Sequence, residues 1–342
     1  MNLFDLNKVA QAMVAPGKGL LAADESTGTI KKRFDAIKVE STEDSRRDYR
    51  EMLFRSSDAM SKYISGVILY DETIWQKAKD GTPLVKLIEQ AGSIPGIKVD
   101  EGTQPLPNCR GELVTVGLDK LAARLADYYR QGARFAKWRA VIDIGKDIPS
   151  MTAIHANAHA LARYAALCQA AQIVPIVEPE VLMDGDHDID RCYEVTQRVL
   201  NKTFQELRIQ RVALDGMILK PNMVVPGKKS AKQSSVAEVA EKTIRLLKSC
   251  VPAAVPGIAF LSGGQSDEDA TAHLDAINRI GGLPWKLTFS YGRALQSAPQ
   301  KAWSGNAENI AAGQQAFTHR ARMNSLASKG EWSAGLEQKQ AA

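Results

Sequence analysis

The chain has 342 residues, 44% hydrophobic and 24% charged, with a formal net charge of +5. That composition belongs to a globular protein with ample core and excludes a disordered, collagenous or coiled-coil chain. The longest charge-free stretch, residues 249–266, holds two prolines, three glycines and a glutamine, so no membrane span is expected; the mild charge, without a long Lys/Arg run, argues against a nucleic-acid partner.

In chain order, the first residues read as an extra N-terminal helix. They place Asp5 and Lys8 where a signal peptide needs an apolar run, so a cytoplasmic location is the expectation. Short apolar runs then recur at residues 19–24, 66–70, 96–100, 135–139, 174–180, 217–222, 258–263 and 286–292. Each is about strand length and largely uncharged until its end. Helical patterns lie between them, among others at 45–62, 118–131, 153–170, 188–207, 235–248 and 267–280. Ser266 and the acids at Asp186 and Asp188 stand at helix starts, where the dipole favours them.

Strands alternating with helices argue for a parallel sheet, and eight strands close a (β/α)8 TIM barrel. The stretches 80–83, 102–109 and 225–234 read as ordinary loops, and neither a repeat nor a domain boundary is visible. One α/β barrel domain is therefore expected over residues 1–342, with its core at about 15–300 and a C-terminal helix and tail over about 301–342.

The strand bodies are interchangeable; their C-terminal ends are not. They carry Asp24, Lys98, Lys137 with Arg139, Glu178 with Glu180, Lys220, then Ser262-Gly263-Gly264 and Ser290-Tyr-Gly292-Arg293. Barrel active sites form at that mouth, and residues two apart on a strand share a face. Inward faces would gather three lysines, an arginine and three carboxylates. One strand-end lysine is ordinarily a solvated edge residue; three at equivalent positions are not. Burial among like charges lowers a lysine pKa and makes its amine a nucleophile that forms a Schiff base with a carbonyl. Nearby carboxylates would move the protons that carbinolamine formation, dehydration and C–C cleavage require. Glycines, hydroxyls and a guanidinium at the last two strand ends suit a phosphate.

A metal centre has little support. His155 and His159 are spaced i,i+4 but read as helix surface without an acidic third ligand, His187 reads as a helix cap, and His273 and His319 stand alone. Cys109, Cys168, Cys192 and Cys250 lack CxxC spacing and read as reduced packing residues. Without GxGxxG or a P-loop, neither a dinucleotide nor ATP is indicated, and no cofactor is expected.

The segments LAADESTGTIKKR, GIKVDEG, FAKWR, IVPIVEPE, LKPNMV, FLSGGQS and LTFSYGRALQ resemble class I fructose-bisphosphate aldolase, in order, from about residue 3 to 330. The resemblance implies a metal-free lyase that reversibly splits fructose 1,6-bisphosphate into dihydroxyacetone phosphate and glyceraldehyde 3-phosphate, in glycolysis, gluconeogenesis or the Calvin cycle. It implies Lys220 as the Schiff-base former and Glu178, beside Glu180, as general acid/base. Asp24 would position the nucleophile and handle protons, and Lys137 and Arg139 would be electrostatic partners. Ser262, Gly263, Gly264, Ser290, Gly292 and Arg293 resemble the ketose-side phosphate pocket. Ser26, Thr29, Arg33 and Lys98 resemble the site at the other phosphate. Family members are usually homotetramers. Animal members end in a tyrosine on a mobile tail, whereas the last tyrosine here is Tyr291, which puts any tail contribution in doubt. Two other readings are sedoheptulose 1,7-bisphosphate as substrate by the same mechanism, and a non-catalytic scaffold that binds polyanions or acidic proteins through the basic mouth.

Overall fold

The computed structural model describes residues 2–340. All eight runs form strands: β1 (Gly19–Ala23), β2 (Ile64–Leu69), β3 (Ile94–Lys98), β6 (Phe135–Ile142), β7 (Val174–Val181), β8 (Ile218–Leu219), β9 (Gly257–Phe260) and β10 (Lys286–Tyr291). They pair in parallel in chain order, and β1 bonds both β2 and β10, which closes the barrel. Two further short strands, β4 (Thr103–Pro105) and β5 (Leu113–Thr115), make an antiparallel hairpin on the loop after β3. That stretch read as plain loop because Pro105, Pro107 and Gly111 interrupt any alternation.

Alternation along the strands sorts the core into two layers. Leu20, Ile68, Phe135, Val174, Ile176, Ile218 and Ala259 fill the barrel bore, and Leu21, Val67, Ala136, Val177, Leu219 and Phe260 face the helices. Space in the bore is set by glycine. A Cβ on Gly96 would lie 2.2 Å from the Phe135 ring, and one on Gly66 2.9 Å from it, so that single ring fills two empty positions. The first helix, α1 (Leu3–Met13), plugs the bottom with Leu6, Ala10 and Met13, followed by Val14. The bottom is thereby closed, and polar chemistry is confined to the opposite end.

The other helices are α2 (Thr27–Ala36), α3 (Glu43–Phe54), α4 (Ser57–Tyr63), α5 (Asp71–Trp75), α6 (Leu84–Gln90) and α7 (Leu121–Arg130). Then follow α8 (Met151–Ala170), α9 (Ile189–Ile209), α10 (Val236–Cys250), α11 (Asp267–Ile280), α12 (Arg293–Trp303) and α13 (Ile310–Ala327). The helix expected over 45–62 is thus two, broken at Arg55 and Ser56, where Ser56 donates its N–H to Leu53 and leaves the helical ladder. Ser266 caps α11 as expected, and Asp188 rather than His187 caps α9. His187 is buried, and neither ring nitrogen has a hydrogen-bond partner among the described residues.

The other histidines also differ from expectation. His155 and His159 face a carboxylate after all: Glu206, from the neighbouring α9, bonds His159 Nδ1 at 3.1 Å and lies 3.8 Å from His155 Nε2. Lys202 neutralises that carboxylate at 3.0 Å, and among the described residues no cluster of His, Cys, Asp and Glu is arranged to hold a metal. His273 bonds Gln265, and His319 bonds Glu337. Glu337 also accepts from Arg320 (2.6 Å) and Trp332 (3.0 Å), so the C-terminal segment is pinned to α13 at least through that residue. The last two residues lie outside the described part. Among the described residues, no helix is long and apolar enough to cross a membrane.

Candidate active site

Register brings the polar strand ends to one level. Lys98 is the direct neighbour of Lys137, and Arg139 of Glu178. Ile218 pairs with Ile176, so Lys220, two residues further on, stands level with Glu178. The β8 ladder stops early because Pro221 has no N–H. The side chain of Asn222 replaces it, accepting from Val181 N (3.0 Å) and donating to Thr196 (3.2 Å). Those bonds keep the Lys220 backbone extended, with its N–H on Val177 O at 2.8 Å.

At the bottom of the mouth Lys137 Nζ lies 2.7 Å from Asp24, 3.6 Å from Glu178 Oε2 and 4.0 Å from Asp100. Glu178 turns its other oxygen to Lys220 Nζ, at 3.1 Å. All but Asp24 are at least nine-tenths buried, and Asp24 is nearly so. Lys98 is held by Asp100 at 2.8 Å, and Arg139 by Glu180.

Four cations therefore face four carboxylates, not three. Asp100 was missed by sequence reasoning, although it sits two residues beyond Lys98, the spacing that placed Arg139 with Lys137. The extra carboxylate changes the electrostatics. Burial opposes charge on Lys137, but Asp24, Glu178 and Asp100 outweigh it and raise the ammonium pKa above its usual range. The expected lowering by like charges therefore fails at Lys137. Burial likewise opposes charge on Asp24. The charges of Lys137 and Lys220 nevertheless hold its carboxyl at about 2, so it is ionised at neutral pH. Among the described residues Glu178 Oε2 has no hydrogen-bond partner although it is buried, a state that costs free energy unless a bound group completes it.

Around this charge cluster stand the hydroxyl and glycine groups. Ser262 is buried, Gly263 adopts φ +58°, and Gly263 O accepts from Arg293 at 2.6 Å. Ser290 Oγ is buried, without a hydrogen-bond partner among the described residues. Opposite, Ser26 caps α2, and its hydroxyl lies 3.1 Å from that of Thr29. Arg33 is drawn to the buried Glu25, which also accepts from Gln296 at 2.6 Å. A Cβ on Gly292 would lie 3.7 Å from Arg33 Nη2, so Arg33 borders the β10 end, whereas Lys98 is tied to Asp100 instead. Glu25 and Gln296 lie off the strand ends, and Asn222, although two residues beyond Lys220, is uncharged and follows the strand, bonding Val181 and Thr196, so strand-end charge pointed to none of them.

The chain matches, over residues 5–342, the family model described as fructose-bisphosphate aldolase class-I. It is 59% identical over 333 residues to a probable fructose-bisphosphate aldolase class 1 of Xanthomonas campestris, covering 97% of this chain and 99% of that one. It is 53% identical to a fructose-bisphosphate aldolase of Drosophila melanogaster, covering 97% and 92%. Its fold superposes with TM-score 0.96, at 48% identity over 97% and 96% of the two chains, on a fructose-bisphosphate aldolase of Plasmodium falciparum solved in complex with TRAP and a small-molecule inhibitor. All three names specify the fructose substrate, so neither the seven-carbon sugar nor the scaffold reading is favoured. A closed eight-stranded barrel with its charges gathered at one mouth, matched over nearly the whole chain, belongs to the class I fructose-bisphosphate aldolases.

Proposed function

We propose that this aldolase works through a Schiff base on Lys220, cleaving fructose 1,6-bisphosphate to dihydroxyacetone phosphate and glyceraldehyde 3-phosphate. The observation that supports it best is the 3.1 Å contact between Lys220 Nζ and Glu178, whose second oxygen is buried without a hydrogen-bond partner among the described residues. Of the three mouth lysines, Lys137 is encircled by three carboxylates and Lys98 is committed to Asp100; among the described residues Lys220 is ion-paired with Glu178 alone and acts on Asp24 at longer range. Lys137 is thereby kept cationic, and Lys220 is the amine free to react.

In this reading Lys220 passes a proton to Glu178 and attacks the ketose carbonyl as the neutral amine; the attacking nitrogen's second proton moves to the oxygen, and Glu178 returns the first to that hydroxyl so that water leaves and an iminium forms. Ionised Asp24 takes the proton of the hydroxyl two carbons from the iminium carbon. The bond between the intervening carbons breaks, and its electron pair passes into the iminium as an enamine. Protonation of the enamine and hydrolysis release the second product. Lys137 stabilises charge between Asp24 and Glu178, while Glu180 orients Arg139 toward substrate. Ser262, Gly263, Gly264, Ser290, Gly292 and Arg293 take the ketose-end phosphate, and Ser26, Thr29 and Lys98 the other. Arg33 stands between the two.

Borohydride trapping tests the mechanism: protein, fructose 1,6-bisphosphate and chelator are mixed, reduced, digested and mapped by mass spectrometry. A reduced triose-phosphate adduct on Lys220 is expected. No adduct, or one on Lys137, would overturn the assignment. We further propose a cytoplasmic homotetramer serving a central sugar-phosphate pathway, as the family resemblance implies; sedimentation velocity giving a monomer would refute the assembly.

A further inference from the structure

The loops after β7, β8 and β9 converge on a cation that the chemistry above does not use. The first two are stitched by backbone bonds: Lys228 N to Met183 O (2.7 Å), Gly227 N to His187 O (2.8 Å) and Lys229 N to Gly185 O (3.0 Å). Gly227 permits this approach, since a Cβ there would lie 2.2 Å from Gly185 O. The stitching carries the Lys228 side chain across to the third loop. Its Cε and Nζ each lie 2.0 Å from where a Gly264 Cβ would stand, so the ammonium rests in the space that the missing side chain of Gly264 leaves. On the other side of the same turn Arg293 donates to Gly263 O. An ammonium and a guanidinium thus flank the Gly263–Gly264 turn.

The partner of Lys228 is Asp184, at 2.8 Å. Both side chains are partly open to solvent, 38% and 60% exposed, and such a pair contributes little and exchanges readily. The hydrogen bond from Lys228 holds the Asp184 carboxyl below its ordinary range. The charge of Lys228 and then those of Arg293 and Arg139 add to the effect, so this carboxylate faces the cations of the mouth. An ammonium has three donors, and a phosphate offers more acceptor oxygens and more charge than one carboxylate.

We propose that Lys228 is a specificity-determining residue of the ketose-end phosphate pocket, exchanging Asp184 for the phosphate when substrate arrives. The proposal rests on the reading of the Gly263–Gly264 turn as that pocket. Asp184 is then a placeholder that keeps Lys228 over the turn while the site is empty.

Titration calorimetry of the full chain with inorganic phosphate reads the anion site without turnover. Lys228→Met is expected to weaken phosphate binding about fivefold, and Lys228→Arg to keep it within about twofold. Asp184→Asn is expected to bind phosphate at least as tightly as the parent, because the competing carboxylate is gone. With fructose 1,6-bisphosphate, Lys228→Met raises KM more than it lowers kcat. Parent-like phosphate affinity in Lys228→Met would overturn the proposal. So would Asp184→Asn binding as weakly as Lys228→Met, since the pair would then only brace the loops. If Lys228→Met fails to fold, Asp184→Asn decides alone against the parent: phosphate binding weaker than the parent's overturns the proposal, and binding at least as tight supports it. Borohydride trapping on Lys220 is independent of these titrations, so a failed mechanism and a failed phosphate residue give different results.

Discussion

Replacing Lys137 by methionine keeps most of the side-chain length and removes the charge on which three carboxylates converge. Burial alone would raise the Asp24 carboxyl. Lys137 and Lys220 instead bring it from the ordinary 3.8 to about 2. That depression, from 3.8 to about 2, corresponds to about 2 kcal/mol of stability. Because the folded value is the depressed one, that contribution is present above the unfolded value near 3.8 and is lost as pH falls through about 2. Lys137→Met should therefore destabilise at pH 7 by about 2–4 kcal/mol, since it strands buried carboxylates. Asp24→Asn should cost less, because Lys137 keeps Glu178 at 3.6 Å and Asp100 at 4.0 Å. The double variant should recover at least about 1 kcal/mol relative to the sum of the single losses. Urea unfolding at matched protein concentration measures all four chains. The deficit of Lys137→Met should also narrow from about pH 5 toward pH 2, because without Lys137 the folded chain protonates Asp24 in that range, while the folded parent keeps it ionised down to about 2 and so loses stability. Strictly additive losses, or a Lys137→Met chain within about 0.5 kcal/mol of the parent, would refute the charge balance described for the mouth.

Glu178→Gln preserves shape but cannot deliver a proton, so steady-state kcat should fall about 10²- to 10⁴-fold; a parent-like kcat would remove Glu178 from proton transfer. Gly96→Ala drives a methyl into the Phe135 ring and should cost about 1–3 kcal/mol in urea unfolding. Phe135→Leu in the same chain should recover part of that loss, and no recovery would show that the ring is not the obstacle. Glu337→Gln leaves Arg320, which is only 5% exposed, without its carboxylate. Limited proteolysis should then cut within residues 331–338 sooner while the barrel persists, and unchanged protection would show that the tail is held by other contacts. Burial opposes charge on Glu337, but Arg320 and its hydrogen bonds lower the carboxyl pKa, so the same loosening should appear in the parent as pH falls into the carboxylate range.

The barrel was legible because its strands are short apolar runs that end in charge, a pattern produced by burial on both faces below an open mouth. Lys137 with Arg139, and Glu178 with Glu180, were legible from a spacing of two. Asp100 obeyed the same rule but was hidden inside a segment whose lysine drew the attention. What no local pattern carries is a partner from another strand. Whether Lys137 loses or keeps its proton depends on Asp24, Glu178 and Asp100, which lie 113, 41 and 37 positions away along the chain and meet it only once the sheet closes. The same holds for Glu206 between His155 and His159, and for Glu337 under Arg320. Charge type at a strand end can be read from sequence, because strand geometry fixes where a side chain points. Protonation state cannot, because it is set by long-range neighbours, and at Lys137 three carboxylates from other parts of the chain reverse the effect that burial alone would have.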